Sequence, residues 1–409
     1  MKPLIFHCDC NNFFASCECL TNPELKKVPM AVAGDPEDRV GIVVAKNELA
    51  KKAGVKTTDT VWQAKRKCPG IVFVPPRHHY YKQISDQVNQ IYHEYTDFVE
   101  PASIDESYLD MTGAPEFFHV TEHGMADLIR DRVRNEIGIT ISVGVSFCKI
   151  FAKMGSDYKK PDATTIITPE NYQELLWPLP VSDLMFAGKA TTAALQAKSI
   201  QTIGDLARLR KDQLVSILGS MGDTLWDYAN GIDGSKVKPW GYEEAAKSVS
   251  HGMTFRKNLE TEEEVRAGVS YLADKVASTL RNNNQKGSVV SVHIKTPELR
   301  VISRQTSLEH YTWLHKEIMD VSMQLIHDSW KIGKAAPIRA LTIGVTKLVA
   351  AGEETEQISW LEDPAAVARR HKMDKLESAI DAVRKKQGNS AIRMGMLQDD
   401  EIGIKKREK

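Results

Sequence analysis

Phe6-His7-Cys8-Asp9-Cys10-Asn11-Asn12-Phe13-Phe14-Ala15-Ser16-Cys17-Glu18 stands near the start of the chain, and Ser103-Ile104-Asp105-Glu106-Ser107-Tyr108-Leu109-Asp110 follows much later. In the first stretch the apolar run over residues 3–8 reads as a short buried strand ending on Asp9, and residues 13–20 read as a helix. In the second, two strand-like runs, Phe98–Glu100 and Ser107–Met111, flank a turn that carries Asp105 and Glu106. Carboxylates on adjacent strand ends can hold two divalent cations. Such a pair of ions clamps the attacking and leaving oxygens of an in-line phosphoryl displacement. Mg²⁺ suits the site because it is hard, takes carboxylate oxygens and pairs with substrate phosphates. An Asp-Glu pair alone is common surface decoration, so the signal lies in its combination with Asp9.

Working outward, Val28–Ala33 and Gly41–Ala45 flank the turn-rich stretch 34–39 and suggest a hairpin. Asn47–Ala53 and Thr60–Lys67 look helical. Ile84, Val88, Ile91 and Tyr95 recur at helical spacing within residues 80–98, residues 119–137 form another helix, and Thr140–Val145 is a strand. Residues 1–168 therefore mix strands and helices. Residues 169–232 are short helices punctuated by glycine, and 233–246 read as a linker. Residues 247–350 restart as an α+β unit: a strand near Lys247–Phe255, a helix over 260–284, strands over 287–295 and 299–306, a helix over 313–330 and a strand over 338–349. Residues 351–409 hold an acidic patch, a short apolar motif, a helix over 364–387 and a basic end.

The 409 residues carry 54 Lys+Arg and 54 Asp+Glu and are 42% hydrophobic, enough for several real cores. No apolar run approaches the ~20 residues that span a bilayer. The N-terminal stretch meets Asp9 too early for a signal-peptide apolar region. The expectation is a soluble, cytoplasmic, multidomain chain. Zero net charge argues at first against nucleic-acid binding, but the charge is unevenly distributed. It is −2 over residues 1–168, −3 over 169–246, +5 over 247–350 and 0 over 351–409. The six cysteines, Cys8, Cys10, Cys17, Cys19, Cys68 and Cys148, have the wrong spacing for common zinc knuckles and read as small buried hydrophobes.

The two opening stretches together resemble the Y-family (translesion) DNA polymerases, the DinB/UmuC group of DNA polymerase IV-like enzymes. Further stretches match in family order. Ala45-Lys-Asn47-Glu48-Leu-Ala50-Lys51 resembles the fingers motif. Ser142–Lys153 with Lys160-Pro161-Asp162 resembles the following palm motif, Ser199–Leu206 the thumb, and Lys247-Ser248-Val249 the opening of the little finger. Ser390–Gly395 also looks familial. The resemblance implies an α+β, multidomain right-hand polymerase. A ferredoxin-like palm with fingers would occupy 1–168 (fingers about 20–78), a helical thumb 169–232, a linker 233–246, an α+β little finger 247–350 and a C-terminal tail 351–409.

It further implies that Asp9, Asp105 and Glu106 bind two Mg²⁺ ions with the backbone carbonyl of Cys10, while a primer 3′-hydroxyl attacks a deoxynucleoside triphosphate. Ser103 would orient the carboxylates. Phe14 would be the steric gate against a ribose 2′-hydroxyl. Phe13, Phe14, Lys51 and Lys160 would line the nucleotide, with Lys149 and Lys153 as further cations. Lys247, Ser248, Lys295, Arg300, Ser303 and Arg304 would contact primer-template DNA. Gln357-Ile358-Ser359-Trp360-Leu361 resembles a sliding-clamp (beta subunit) binding peptide. A monomer working without a membrane is expected. The chain departs from the pattern at Ala45, Glu48 and Lys51, which resemble the UmuC-like side, and at Phe186-Ala-Gly188, where the thumb usually has Gly-x-Gly. Two other readings compete: a palm-fold nucleotidyl cyclase, and a non-catalytic polymerase-interaction scaffold.

Overall fold

The computed structural model describes residues 2–35, 41–353, 364–388, 391–392 and 402–404. The expected clamp peptide Gln357–Leu361 lies outside them. Two compact units divide the chain, one holding Met1–Gly34 and Ile42–Glu243, the other Asp35–Gly41 and Glu244–Lys409.

The first unit contains strands β1 (Ile5–Cys10), β2 (Met30–Ala33), β3 (Val43–Lys46), β4 (Val72–Val74), β5 (Val99–Pro101), β6 (Glu106–Asp110), β7 (Ile141–Ser146) and β8 (Thr164–Ile167). Five of them form the palm sheet in the order β5-β6-β1-β7-β8, and β2, β3 and β4 form a small fingers sheet. β1 is central and antiparallel to both β6 and β7. Every residue of β1 is buried, as a strand covered on both faces must be. Side chains alternate along it. Phe6, Cys8 and Cys10 enter the core beneath the helices His78–His93 and Glu122–Arg132, with Tyr92, Met125 and Ile129. Asp9 and His7 face the other way, toward the helix Lys149–Tyr158, where they meet Lys153 and Ser156.

That helix crosses the sheet at very close range. A Cβ on Gly144 of β7 would lie 1.9 Å from the carbonyl oxygen of Ala152, so only glycine fits the crossing. The contact sets how near Lys153 comes to β1. A helical thumb over residues 172–229 packs around Leu176, Leu195, Ile203, Leu206, Leu214 and Leu225. All six cysteines are free and buried, consistent with their reading as small hydrophobes.

The second unit is a four-stranded antiparallel sheet of β9 (Ser248–Leu259), β10 (Gln285–Lys295), β11 (Val301–Thr312) and β12 (Ile338–Ala350), in the order β11-β10-β12-β9. One face packs on the helices Glu262–Asn282 and His315–Ser329 through Val249, Val290, Val292, Ile294, Leu341, Ile343 and Val345. Thr261 starts the first of these helices with a capping box, its hydroxyl accepting from Glu264 N–H while Glu264 accepts from Thr261 N–H.

The helix Pro364–Gln387 is not a free tail. Arg281, whose side chain is only 6% exposed, pairs with Glu377 and Asp381, and Arg384 pairs with Asp274 at 3.0 Å. Trp313 Nε1 donates to Asp374 at 2.8 Å. Ile402 is buried in the same core. Among the described residues no helix is long and apolar enough to cross a membrane.

Candidate active site

The pairing of β1 with β6 puts Asp9 directly opposite Glu106, and Cys10 N–H donates to the carbonyl of Asp105 at 2.9 Å. The carboxylates of Asp9 and Glu106 share one ammonium: Lys153 Nζ lies 3.2 Å from Asp9 Oδ2 and 2.8 Å from Glu106 Oε1. Lys160 Nζ approaches the same Asp9 oxygen at 2.6 Å. Asp157 braces both lysines, at 3.2 Å from Lys153 and 2.7 Å from Lys160.

Asp105 is half-buried, and its carboxylate is turned toward the Ser103 hydroxyl, which donates to Oδ1 at 2.7 Å. Ser103 thus orients Asp105, as the hairpin reading anticipated. The structure joins two of the three expected carboxylates and holds the third one residue away. Among the described residues no three metal-ligating side chains converge on a point. The Cys10 thiol is buried, leaving only its backbone for a ligand.

Burial and charge separate the two central carboxylates. Burial pushes the Asp9 carboxyl up to about 6, against the opposing pull of Lys160 and Lys153. The neighbouring His7 and Lys153 hold Glu106 below the usual carboxylate range in spite of burial. Two carboxylates in one desolvated pocket cannot ionise independently. His7 is fully buried and its own burial lowers its pKa. Its Nδ1 meets the Ser156 hydroxyl at 2.8 Å, while Nε2 lacks a hydrogen-bond partner and lies 3.7 Å from Glu106 Oε2.

Two side chains that position Lys160 were not foreseen. Asp162, two residues on, is gripped by Arg130 at 2.9 Å and by Arg134 at 2.8 Å. The loop carrying Lys160 is thereby tied to the edge of the palm. The Pro161-Asp162 pair was its only local signal.

A profile of the impB/mucB/samB family matches residues 8–157, and the profile of that family's C-terminal domain matches residues 246–359. A DNA polymerase IV of Acetivibrio thermocellus is 43% identical over 98% of this chain and 98% of its own length. DNA polymerase IV 1 of Bacillus subtilis is 36% identical over 96% of this chain and 92% of its own. A solved Y-family DNA polymerase chimera shares the fold, with a TM-score of 0.75 at 23% identity, over 85% of this chain and 99% of the other. The chain belongs to the Y family of DNA polymerases. Its relatives here are DNA polymerase IV proteins.

In this Y-family chain the expected nucleotide residues divide. Phe14 is half-buried and stacks on Tyr81. Phe13 is 2% exposed in the palm core. Its ring belongs to the core cluster that also holds Phe6 and Cys10, so a contact with the nucleotide would have to come from its backbone. Lys51 is largely exposed and lies 3.6 Å from Glu48, which also accepts from Asn12 Nδ2 at 2.9 Å. Lys149 pairs with Glu100 at 2.7 Å, away from Asp9, and so is not part of this cation cluster.

The expected DNA residues lie on the second unit, but not on one face. The register pairs Ser303 with His293 and Arg304 with Val292. His293 and Lys295 project from the open face, opposite the core residues Val292 and Ile294, and Ser303 joins them. Arg304 is on the helix side, exposed because β11 is the sheet edge. Across the open face run Ser248, Ser250 and Gly252 of β9, Thr342, Gly344 and Thr346 of β12, and Ser291 of β10. This carpet of small polar residues went unnoticed, although Ser248-Val-Ser250 and Thr342-Ile-Gly344 carry the alternation. Lys247 is exposed and 3.3 Å from Glu244, and Arg300, in the loop before β11, accepts the Thr296 N–H on its backbone carbonyl at 2.9 Å.

Proposed function

We propose that this Y-family polymerase extends a primer 3′ end on a DNA template by a two-metal mechanism and copies past damaged bases with low fidelity. The observation that carries the reading is the register-opposed pair Asp9 and Glu106, ringed by Lys153 and Lys160. Hard carboxylate oxygens gathered in one pocket fit a divalent cation. Asp9, Glu106 and Asp105, with the Cys10 carbonyl, would hold two Mg²⁺ ions. When bound, the ions would favour an ionised primer hydroxyl and neutralise phosphate charge.

The chain's own side chains support the rest. Ser103 would hold the Asp105 carboxylate until it is needed. Lys160 and Lys51 would receive triphosphate oxygens. Phe14, rigid on Tyr81, would stand under the sugar and exclude a 2′-hydroxyl. The small-residue face of the second unit would let phosphates approach the sheet closely, with Lys295 adding charge and Lys247, Ser248, Arg300 and Ser303 at its margins. Such contacts are sequence-neutral, as template copying requires. Gln357–Leu361 would engage a sliding clamp, with the protein acting as a monomer.

Primer extension on undamaged and abasic templates tests the reading. The wild type should extend both, and Asp105→Ala/Glu106→Ala should extend neither. Extension that survives the double substitution would refute the site, and a stop at every abasic position would refute bypass. The cyclase and scaffold readings both predict no extension at all.

A further inference from the structure

Two ammonium groups sit on the same carboxylate oxygens that a metal needs. Lys153 bridges Asp9 and Glu106, and Lys160 meets Asp9 Oδ2 at 2.6 Å. Neither is a loosely solvated surface lysine: their side chains are 18% and 28% exposed. Each is aimed by its backbone. The close crossing at Gly144 fixes the helix of Lys153, and the Arg130–Asp162–Arg134 clamp fixes the loop of Lys160. Asp157 gives both ammonium groups a second anchor outside the carboxylate pair.

An ammonium at hydrogen-bond distance satisfies a carboxylate oxygen and repels a second cation at that oxygen. Mg²⁺ is usually held by one or two carboxylates together with substrate phosphates, and it gives up water reluctantly. A carboxylate pair already engaged by two lysines is therefore a poor site for the metal alone. A triphosphate changes the balance, because its anionic oxygens offer both lysines a stronger partner.

We propose that Lys153 and Lys160 form a counter-ion latch. They close Asp9 and Glu106 to divalent metal in the free protein and open them when a nucleoside triphosphate draws the lysines away. Metal and nucleotide then bind with positive coupling. The inference rests on the reading of Asp9 and Glu106 as metal ligands. In the free protein both lysines act through the carboxylates, and with nucleotide bound they meet the triphosphate instead.

The test is Mn²⁺ binding to the full-length protein, read from the spin-resonance signal of free Mn²⁺. It is run with and without an α,β-imido deoxynucleoside triphosphate and corrected for Mn²⁺ held by that analogue alone. Wild-type affinity for Mn²⁺ should rise about tenfold with the analogue, and linkage requires Mn²⁺ to raise analogue affinity by the same factor. Lys153→Met and Lys160→Met should each bind Mn²⁺ severalfold tighter than wild type without nucleotide, and should show weaker coupling. The latch is overturned if both variants, with melting curves like the wild type, bind Mn²⁺ no more tightly. If Lys153→Met does not fold, the more exposed Lys160 carries the test. Asp9→Asn/Glu106→Gln separates the two failures. Loss of Mn²⁺ binding there, with unchanged lysine variants, sinks the latch alone. Retained binding there sinks the metal-site reading and the latch with it.

Discussion

The ring of Phe14 lies on the ring of Tyr81, with centroids 4.3 Å apart and planes 16° apart. Tyr81 is fully buried, and its hydroxyl donates to Glu18 Oε1 at 2.7 Å. Glu18 in turn accepts two bonds from Arg77, at 2.9 and 2.7 Å. His78 meets the Phe14 ring edge-on at 5.7 Å. The proposed gate is therefore one end of a column, and its stiffness comes from residues that never touch a sugar.

This column makes sugar selection separable from catalysis. Phe14→Ala should strongly raise ribonucleotide incorporation. Tyr81→Leu should loosen discrimination by a smaller factor, since stacking of such rings contributes about 0.5–1.5 kcal/mol, or roughly two- to thirteenfold. Tyr81→Phe keeps the stack and should stay near wild type. Single-nucleotide incorporation with matched ribo- and deoxyribonucleotides measures all three. Equal discrimination in Phe14→Ala and wild type would remove the gate from this position.

The thumb offers a stability test. Phe186, where the thumb motif leads one to expect glycine, has φ of 69°, in the left-handed region that side chains avoid. Its ring is 55% exposed and recovers little by burial. Phe186→Gly should relieve the backbone while losing some unfolded-state advantage, for a net gain of about 0.5–1 kcal/mol. That corresponds to a melting temperature roughly 1–4 °C higher. A lower melting temperature would mean that the contact with Tyr228, 6.0 Å between centroids, outweighs the strain.

The carboxylates of the proposed site were legible because a strand end is a local pattern: an apolar run stops and an acid follows. The strand pairs around them were legible for the same reason. The partners of those carboxylates were not. Lys153 could be named as a phosphate candidate, but its grip on Asp9 and Glu106 depends on a helix crossing that only the Gly144–Ala152 approach reveals. Glu18 read as one more polar helix residue until Arg77 and Tyr81 closed around it. Phe13 and Phe14 are adjacent and identical in type, and only the helix phase sends one inward. Strand β11 was expected to end near residue 306 and continues to Thr312, because an edge strand exposed on both sides shows no alternation to follow. The docking of the last helix was hidden for a further reason. Asp374, Glu377, Asp381 and Arg384 carry contacts with the rest of the second unit, so charged residues stand on the side a reader would assign to solvent.

That charged interface has a definite energetic consequence. Arg281→Met leaves Glu377, 4% exposed, without its cation, and breaking a buried pair from one side costs about 3–5 kcal/mol. The urea midpoint of the second unit's transition should fall accordingly. Adding Glu377→Gln removes the more buried of the two stranded charges, Asp381 being the other, and keeps an acceptor for His315 N–H, which Glu377 now receives at 3.1 Å. The double variant should recover most of the loss. A single variant as stable as wild type would show that the helix contributes nothing to this unit's stability.

The open face of the second unit makes the last prediction, because register separates residues that charge alone would group. Lys295 and Arg304 are both basic and close in sequence, yet β10 and β11 place them on opposite sides of the sheet. If phosphates lie on the small-residue face, Lys295→Ala should reduce the slope of log affinity against log salt by about 0.9. Arg304→Ala should change it less. Ser250→Glu puts a negative charge on that face at an exposed position and should weaken binding of every primer-template tested, whatever its sequence. Fluorescence anisotropy across a salt series reads both effects. If Arg304→Ala carries the larger change in slope, the DNA path follows the sheet edge, and the carpet of Ser, Thr and Gly is there for the close packing of strands instead.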